Sequence, residues 1–293
     1  MKKIAILTVL ILSISCREIV MDEFEEFTPV PAVNSILITG EPIKVHVSLA
    51  EKLDSTKLTL IDDAIVSLYI DGNFAETLSY TGDGLYISSI IAVPSTKYSC
   101  TVDIPGYKEV TCNDSLPALP FISNIEHINI AGKDEEGLTY PAILITFEND
   151  PSKRQYFEIV LRTLQRKHER LAFLKEITDP ILLNEGLPMT LFSNESINDQ
   201  SYTMLINYFT GSASSMNGGP LQTTLYPLIV ELRSVSYNYY QFVKQKYLYE
   251  LGRYPEFKAG SIQAFPLYSN VIDGYGIFAG YSVLKADTIY PGN

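Results

Sequence analysis

The sequence predicts a mainly β protein, with an N-terminal immunoglobulin-like or transthyretin-like β-sandwich followed by a second β-rich domain with one or two helices. Three observations support this fold class. β-Branched residues recur in short runs that alternate with polar residues, as in strands buried on one face. The chain has 20 tyrosines and no tryptophan, and aromatic side chains favour strands. Glycine-rich turn motifs separate several of the runs.

The first element in the chain is an apolar segment at residues 1–15. Two lysines at positions 2 and 3 precede an apolar run at 4–12, and the small Ser13 and Ser15 follow. This run is too short to span about 30 Å of hydrocarbon as a retained helix, so it predicts a signal peptide.

Cys16 follows Ser15 directly, and this arrangement resembles the bacterial lipobox, in which the thiol takes a diacylglycerol and becomes the new amino terminus. Each buried methylene of an acyl chain contributes about 0.8 kcal/mol, so lipidation would hold a domain on a bilayer without a membrane-spanning helix. The alternative is a plain secreted protein in which Cys16 is a leftover thiol.

Residues 16–32 predict an acidic tether between lipid and fold. Asp22, Glu23, Glu25 and Glu26 fall within a stretch that has no strong apolar pattern. The run resembles the acidic surface-export signals of Bacteroidota lipoproteins, and an ordinary charged linker is the alternative. The net charge of −12 disfavours nucleic acid and anionic headgroups as partners.

Residues 33–116 predict the β-sandwich. Turn motifs occur at 71–73 ("DGN"), 81–84 ("TGDG") and 104–107 ("IPGY"). The seven predicted strands are 33–39, 43–49, 64–71, 74–80, 85–90, 98–104 and 107–112.

Two cysteines flank the last of these turns. Cys100 and Cys112 lie symmetrically about Gly106, so a hairpin would place them near or directly opposite each other. In an oxidising compartment such a pair favours a disulfide, which stabilises by about 3 kcal/mol in the chain-entropy model. A zinc site is the alternative, but two thiols without a nearby histidine are too few ligands. The sequence therefore predicts a structural disulfide.

A proline-punctuated linker at 113–121 precedes the second domain, residues 121–293. Its predicted strands are 122–131, 141–148, 156–163, 201–208, 228–236 and 274–284. One helix is predicted at 165–175 and another at 237–251, capped by Ser236. Tyr240, Val243, Tyr247 and Leu251 form one stripe of the second helix, which predicts core packing.

Several blocks of the sequence carry a resemblance to a known family. They are "DAIVSLYIDG" at 63–72, "FSNESINDQSYTMLINY" at 192–208, "VELRSVSYNYYQFVKQKYLYE" at 230–250 and "FPLYSNVIDGYGIFAGYS" at 265–282. The chain resembles an uncharacterised Bacteroidota lipoprotein family, domain of unknown function 4249. The resemblance implies an outer-membrane-associated lipoprotein, in a family often found alongside TonB-dependent receptors. It supplies no catalytic residue and no ligand.

Motifs for catalysis are missing from the sequence, which shows no nucleophile elbow, zinc-protease motif, P-loop or dinucleotide fingerprint. The histidines His46, His127 and His168 are far apart, with His46 predicted to face solvent and His168 on a solvated helix face. We therefore expect no enzyme activity, no cofactor and no metal. Short motifs that resemble Bacteroidota O-glycosylation sites make Ser55, Ser115 and Thr288 candidate acceptors.

The function predicted from these observations is a non-catalytic binding or docking role at the outer membrane, on its periplasmic or cell-surface face. One expected role is to support a TonB-dependent transporter in nutrient uptake. A structural envelope or adhesion lipoprotein without a small ligand is the alternative, and an unrecognised hydrolase comes third. The loops expected to make contacts are 50–60, 211–220 and 253–264.

Overall fold

The computed structural model describes residues 28–51, 58–215, 218–253 and 266–292. The predicted signal peptide, Cys16 and most of the tether lie outside these ranges. The protein is mainly β, with three sheets and two helices among the described residues, which confirms the predicted fold class. Neither of these helices has the length and apolar character that crossing a bilayer requires.

The described strands follow one another in two groups. The first group is β1 (Val30–Ile38), β2 (Pro42–Ala50), β3 (Ile65–Ile70), β4 (Asn73–Thr77), β5 (Ser79–Gly82), β6 (Leu85–Ile91), β7 (Lys97–Asp103) and β8 (Val110–Ser115). The second group is β9 (Ile122–Lys133), β10 (Thr139–Glu148), β11 (Tyr156–Gln165), β12 (His168–Leu171), β13 (Phe173–Leu174), β14 (Leu191–Ser193), β15 (Ser201–Phe209), β16 (Ala213–Ser214), β17 (Gln222–Thr223), β18 (Leu228–Val235), β19 (Val271–Ile272) and β20 (Tyr275–Lys285). The helices are α1 (Pro180–Glu185) and α2 (Tyr237–Arg253).

A nine-stranded sheet joins the first and the last long strands that the structure describes. Its order is β12-β11-β18-β20-β1-β2-β6-β5, with β14 also paired to β11. β1 runs antiparallel to β2 and parallel to β20, with Ala32 opposite Tyr275 and Ile38 opposite Tyr281. The first described strand is therefore an interior strand of the sheet, held on one side by the last.

Two smaller sheets pack side by side on one face of the nine-stranded sheet. One has the order β19-β8-β7-β3-β4, and the other has the order β13-β15-β10-β17-β16 with β9 paired to β10. Because side chains alternate along a strand, Phe278 points into the first core, whereas Ile277 and Ala279 point to the opposite face. That opposite face is covered by α2 through Tyr239 and Tyr240.

The predicted division at residues 116–121 stays a prediction, and the structure adds a connection that the division leaves out. The first core contains Val271 and Phe278, which come from the C-terminal strands β19 and β20. β19 pairs with β8, and β20 pairs with β1. Residues beyond 270 therefore complete the first sandwich as well as the second unit.

The predicted helix at 165–175 is wrong, because this segment forms a turn followed by β12 and β13. β12 pairs with β11, with Gln165 opposite His168, and all four of its residues are exposed. The charged run offers no apolar stripe that a helix could bury, whereas β11 offers a sheet edge with which it can pair. His168 is accordingly exposed on a strand rather than on a helix.

Other predicted elements shift in detail. The predicted strand at 74–80 is two strands in different sheets, since β4 pairs with β3 and β5 pairs with β6. Ser236 accepts a hydrogen bond from Tyr239 N–H (3.1 Å), which confirms the predicted cap of α2. Tyr240 is buried as expected, but Leu251, on the same predicted stripe, is 60% exposed.

Candidate functional site

The predicted modification sites fall in different surroundings. Cys16 and Ser55 lie outside the described residues. Ser115 is exposed at the end of β8, and Thr288 is half-buried after β20. Use of Ser55, Ser115 or Thr288 as a glycosylation site stays a prediction.

Cys100 and Cys112 face each other as the sequence predicted. They are opposite partners in the β7–β8 hairpin, and both are buried. The structure holds them as free thiols, with Cys112 Sγ 3.7 Å from the carbonyl oxygen of Cys100. The contact with Cys100 and burial both raise the pKa of the Cys112 thiol. The geometry thus supports the predicted pairing, while the covalent bond stays a prediction.

His127 is held in a hydrogen-bonded chain. Its Nε2 lies 2.8 Å from the hydroxyl of Tyr208, and its Nδ1 lies 2.9 Å from Asn129 Oδ1. Burial lowers the pKa of His127 and raises that of Tyr208. No group of three or more His, Cys, Asp or Glu side chains within the described ranges is placed to hold a metal ion.

A large open cleft lies between the end of β10 and the start of β15. It has a volume of about 790 Å³ and is lined by Ser123, Glu148, Asn149, Asp150, Pro151, Ser152, Gln200 and Ser201. The polar groups there serve the fold, because the Asn149 amide donates to the carbonyls of Ile197 and Asp199. Asp150 accepts from Ser152 and pairs with Lys153 at 3.1 Å.

A charged ladder of four side chains crosses β11 and β18 on the face that α2 covers. Glu231 bridges Arg162 (3.0 Å) and Arg233 (2.7 Å), and Arg233 also pairs with Glu158 (2.8 Å). Arg233 lies 4.6 Å from the ring centre of Tyr281. Burial alone would lower the pKa of Arg233, but Glu158, Glu231 and the neighbouring tyrosines together outweigh burial, so the pKa rises. The charged groups of the ladder therefore pair with one another.

Asp114 joins three elements at the centre of the molecule. Gly280 N–H of β20 donates to its Oδ2 (3.1 Å), and the Asn238 amide of α2 donates to its Oδ1 (2.9 Å). Burial outweighs these hydrogen bonds and raises the pKa of Asp114 to about 6. Gly280 also lets Leu116 and Leu37 pack closely against β20, since a Cβ there would lie 2.5 Å from Leu116 and 2.7 Å from Leu37.

The most distinctive surface is formed by Gln165–Phe173, which we call the basic hairpin. Arg166, Lys167 and Arg170 are exposed, and within the described ranges they form no ion pair. Glu169 pairs with Lys285 at 3.2 Å, so these five charged residues carry a net charge of +3, four cations less one carboxylate. The composition of "RKHERLAF" shows the cations, but only the structure shows that they lie on a sheet edge.

Exposed apolar side chains adjoin these cations. Leu171 is 56% exposed and Phe173 is 61% exposed. Both line a small cavity of about 190 Å³, whose lining is mostly apolar but also includes Glu158 and Thr190. The basic hairpin therefore combines positive charge and exposed apolar side chains with a mostly apolar cavity.

Each of the three predicted contact loops lies partly outside the residues that the structure describes. Residues 52–57 of the first loop, 216–217 of the second and 254–264 of the third lie outside the described residues. The described remainder of 211–220 carries β16, which pairs with β17. The basic hairpin was missed as a contact surface, because its charged run was interpreted as a solvated helix.

Comparison with known proteins places the chain in a family. Residues 17–287 match the family model described as Domain of unknown function (DUF4249). The protein therefore belongs to the DUF4249 family, which the resemblance of its sequence blocks had predicted. No curated protein matches the chain.

Among solved structures, the chain is similar to a protein of Corynebacterium diphtheriae that is described as membrane anchored. The identity is 10% and the TM-score is 0.22. The match covers 72% of this chain and 56% of that protein, so this chain spans a little over half the length of its structural neighbour.

Proposed function

We propose that the protein is a lipoprotein of the Bacteroidota outer membrane, anchored by an acylated Cys16, with a non-catalytic docking role that supports a TonB-dependent transporter in nutrient uptake. The nine-stranded sheet carries this proposal. Along the strand direction, Val30 at the start of β1 lies at one end of the sheet and the exposed basic hairpin lies at the other.

The strand registers show that Val30 and the basic hairpin lie far apart along the strand direction. β11 begins with Tyr156 opposite Val235, which pairs with Tyr281, which pairs with Ile38 at the end of β1. From that level β11 runs onward, away from Val30. Its last residue, Gln165, lies about 30 Å further along the strand direction.

The anchor follows from the sequence before β1. Thirteen residues lie between Cys16 and Val30, and a fully extended chain over these fourteen Cα-to-Cα steps reaches about 50 Å. The acidic run after Cys16 supports exposure at the cell surface, because it resembles a surface-export signal. An oxidising compartment would also join Cys100 and Cys112, which we propose as a structural disulfide.

The charges of the interior support docking over catalysis. Strongly shifted pKa values often mark active sites, but the buried charged groups described above are engaged in structural ion pairs or, for Asp114, in hydrogen bonds that join three elements. Glu158, Glu231 and Arg233 pair within the charged ladder, and Glu185 pairs with Lys244 at 2.8 Å.

The anchor is tested by replacing Cys16 with alanine. We expect Cys16→Ala to lose labelling by a fatty-acid probe and to leave the membrane fraction, because no other acylation site is proposed. Cys112→Ala is the matched control and should stay in the membrane fraction. Unchanged labelling of the Cys16 variant would refute the lipoprotein assignment.

The docking role is tested by affinity capture from detergent-solubilised membranes. We expect a TonB-dependent receptor to be recovered with the wild-type protein in repeated preparations. If no receptor is recovered after chemical cross-linking, the alternative of a structural envelope lipoprotein is favoured.

A further inference from the structure

We infer that the basic hairpin binds an acidic, extended segment of a partner protein, which adds as a further strand to the free edge of β12. This inference rests on the proposed docking role. It names the surface that makes the contact and the chemistry of the partner.

β12 offers an open edge for strand addition. It is the terminal strand of the nine-stranded sheet and, among the described residues, pairs with β11 alone. The backbone N–H and C=O groups on its outer side are therefore free to accept another strand. Strand addition to such edges is a recurrent mode of peptide recognition, with the main chain giving affinity and side chains giving selectivity.

The charges on this edge select the partner. Charged edge strands commonly prevent self-association, and the net positive charge of the basic hairpin disfavours a second copy of itself. The same cations attract a strand that carries carboxylates. The cluster is positive on a chain whose net charge is −12, so it is a local exception to the field of the whole protein.

The two turn residues adopt a backbone conformation that is unfavourable for arginine and lysine. Arg166 and Lys167 have φ values of 49° and 70°, in the left-handed region. A two-residue hairpin with both residues at positive φ favours Asn-Gly. The sequence therefore keeps two positive charges at the hairpin tip at a cost in backbone strain, which points to a use for the charges beyond folding.

The neighbouring apolar side chains supply the rest of the contact. Phe173 and Leu171 are exposed beside the cavity of about 190 Å³. An apolar side chain of the incoming segment would fill this cavity, while its carboxylates face Arg166 and Arg170. Aromatic and arginine side chains dominate the binding energy of many interfaces.

The position of the hairpin favours a protein over a lipid surface. Anionic headgroups would also attract the cations. However, the hairpin lies at the opposite end of the sheet from Val30, where the chain from Cys16 arrives. A protein whose Val30 end lies nearest the bilayer would therefore direct the hairpin away from that bilayer.

The test uses the purified full-length protein in detergent and a labelled peptide of about eight residues that alternates glutamate and valine. We expect this peptide to bind, a matched lysine–valine peptide not to bind, and amide exchange at 168–171 to slow on binding. The triple variant Arg166→Asn, Lys167→Gly, Arg170→Gln should bind at least about tenfold more weakly. It should unfold at the same or a higher temperature, because Asn-Gly fits the turn.

The control variant removes three charges elsewhere, with Lys44, Lys97 and Lys246 each changed to glutamine, and should keep wild-type affinity. Equal loss in both variants, or no binding by the wild type, would overturn the inference. Binding to phosphatidylglycerol vesicles without peptide binding would overturn it in favour of a lipid surface. If Cys16→Ala stays membrane-bound while the peptide binds, the anchor proposal fails and the hairpin inference stands.

Discussion

At the scale of single residues, Asp114 shows how one polar group can hold a mostly apolar junction together. It lies at the end of β8 and accepts from Gly280 on β20 and Asn238 on α2. Both donors are more than 120 residues away in sequence. A buried carboxylate is costly when charged, even with several donors, so its raised pKa records the balance between burial and hydrogen bonding.

Asp114 makes the stability of the protein depend on pH. The folded pKa of about 6 lies above the ordinary value of 3.8, so the folded state binds the proton more tightly. This contribution to stability is fully present below pH 3.8 and is lost as the pH rises through about 6. The shift corresponds to about 3 kcal/mol. The test is urea unfolding measured from about pH 3.8 to neutral pH. As the pH rises over this range, the free energy of unfolding of the wild type should fall relative to that of Asp114→Asn.

Asp103→Asn, at the exposed end of β7, is the control for that measurement and should follow the wild type. If the free energies of unfolding of the wild type and Asp114→Asn changed with pH in parallel, burial would not raise the pKa of Asp114 and the prediction would be wrong. Sequence alone could not show that Asp114 is buried, because nothing near it in the chain distinguishes it from an exposed aspartate at the end of a strand. Its burial depends on two distant elements.

At the scale of elements, the two hairpins β7–β8 and β11–β12 show where sequence patterns succeed and fail. "IPGY" marks a turn, and its symmetry about Gly106 placed Cys100 opposite Cys112 as observed. The turn at Arg166 and Lys167 carries no such signal, because residues that adopt positive φ without strain are missing there. The local sequence looked helical, and pairing with β11 decided the outcome.

The β7–β8 hairpin should be oxidised in the native protein. Opposite partners in an antiparallel pair lie within the Cα separation that a disulfide requires. We expect the intact mass to be two hydrogens lower without reductant, and alkylation of both thiols to need prior reduction. Cys112→Ser should show no such mass difference. Ready alkylation of Cys100 and Cys112 in the unreduced native protein would contradict the prediction.

At the scale of the whole molecule, the nine-stranded sheet makes the two predicted domains depend on each other. β20 separates β18 from β1 and pairs with both. The strands of each domain could be predicted from alternation, since that signal is local. The parallel pairing of the first and last long strands leaves no local mark, so the sequence could not reveal it.

This arrangement predicts that the N-terminal domain does not fold alone. Residues 28–120 lack Val271 and Phe278, which belong to its core, and leave one side of β1 unpaired. We expect calorimetry to show no cooperative unfolding for this fragment. Joining residues 266–286 to it through a flexible linker should restore a cooperative transition. A fragment of residues 28–120 that unfolds cooperatively near the temperature of the intact protein would contradict this expectation.

The pairing of β1 with β20 also bears on the order of events during biosynthesis. The hydroxyl of Thr39 donates to that of Ser282, and the two are 243 residues apart in the chain. Contacts between residues so distant raise the contact order and slow folding. The central sheet cannot close until nearly the whole polypeptide has been delivered. An exported chain, which the apolar segment at residues 1–15 predicts, would gain from this delay, because its central sheet would stay open until β20 had passed through the translocation channel.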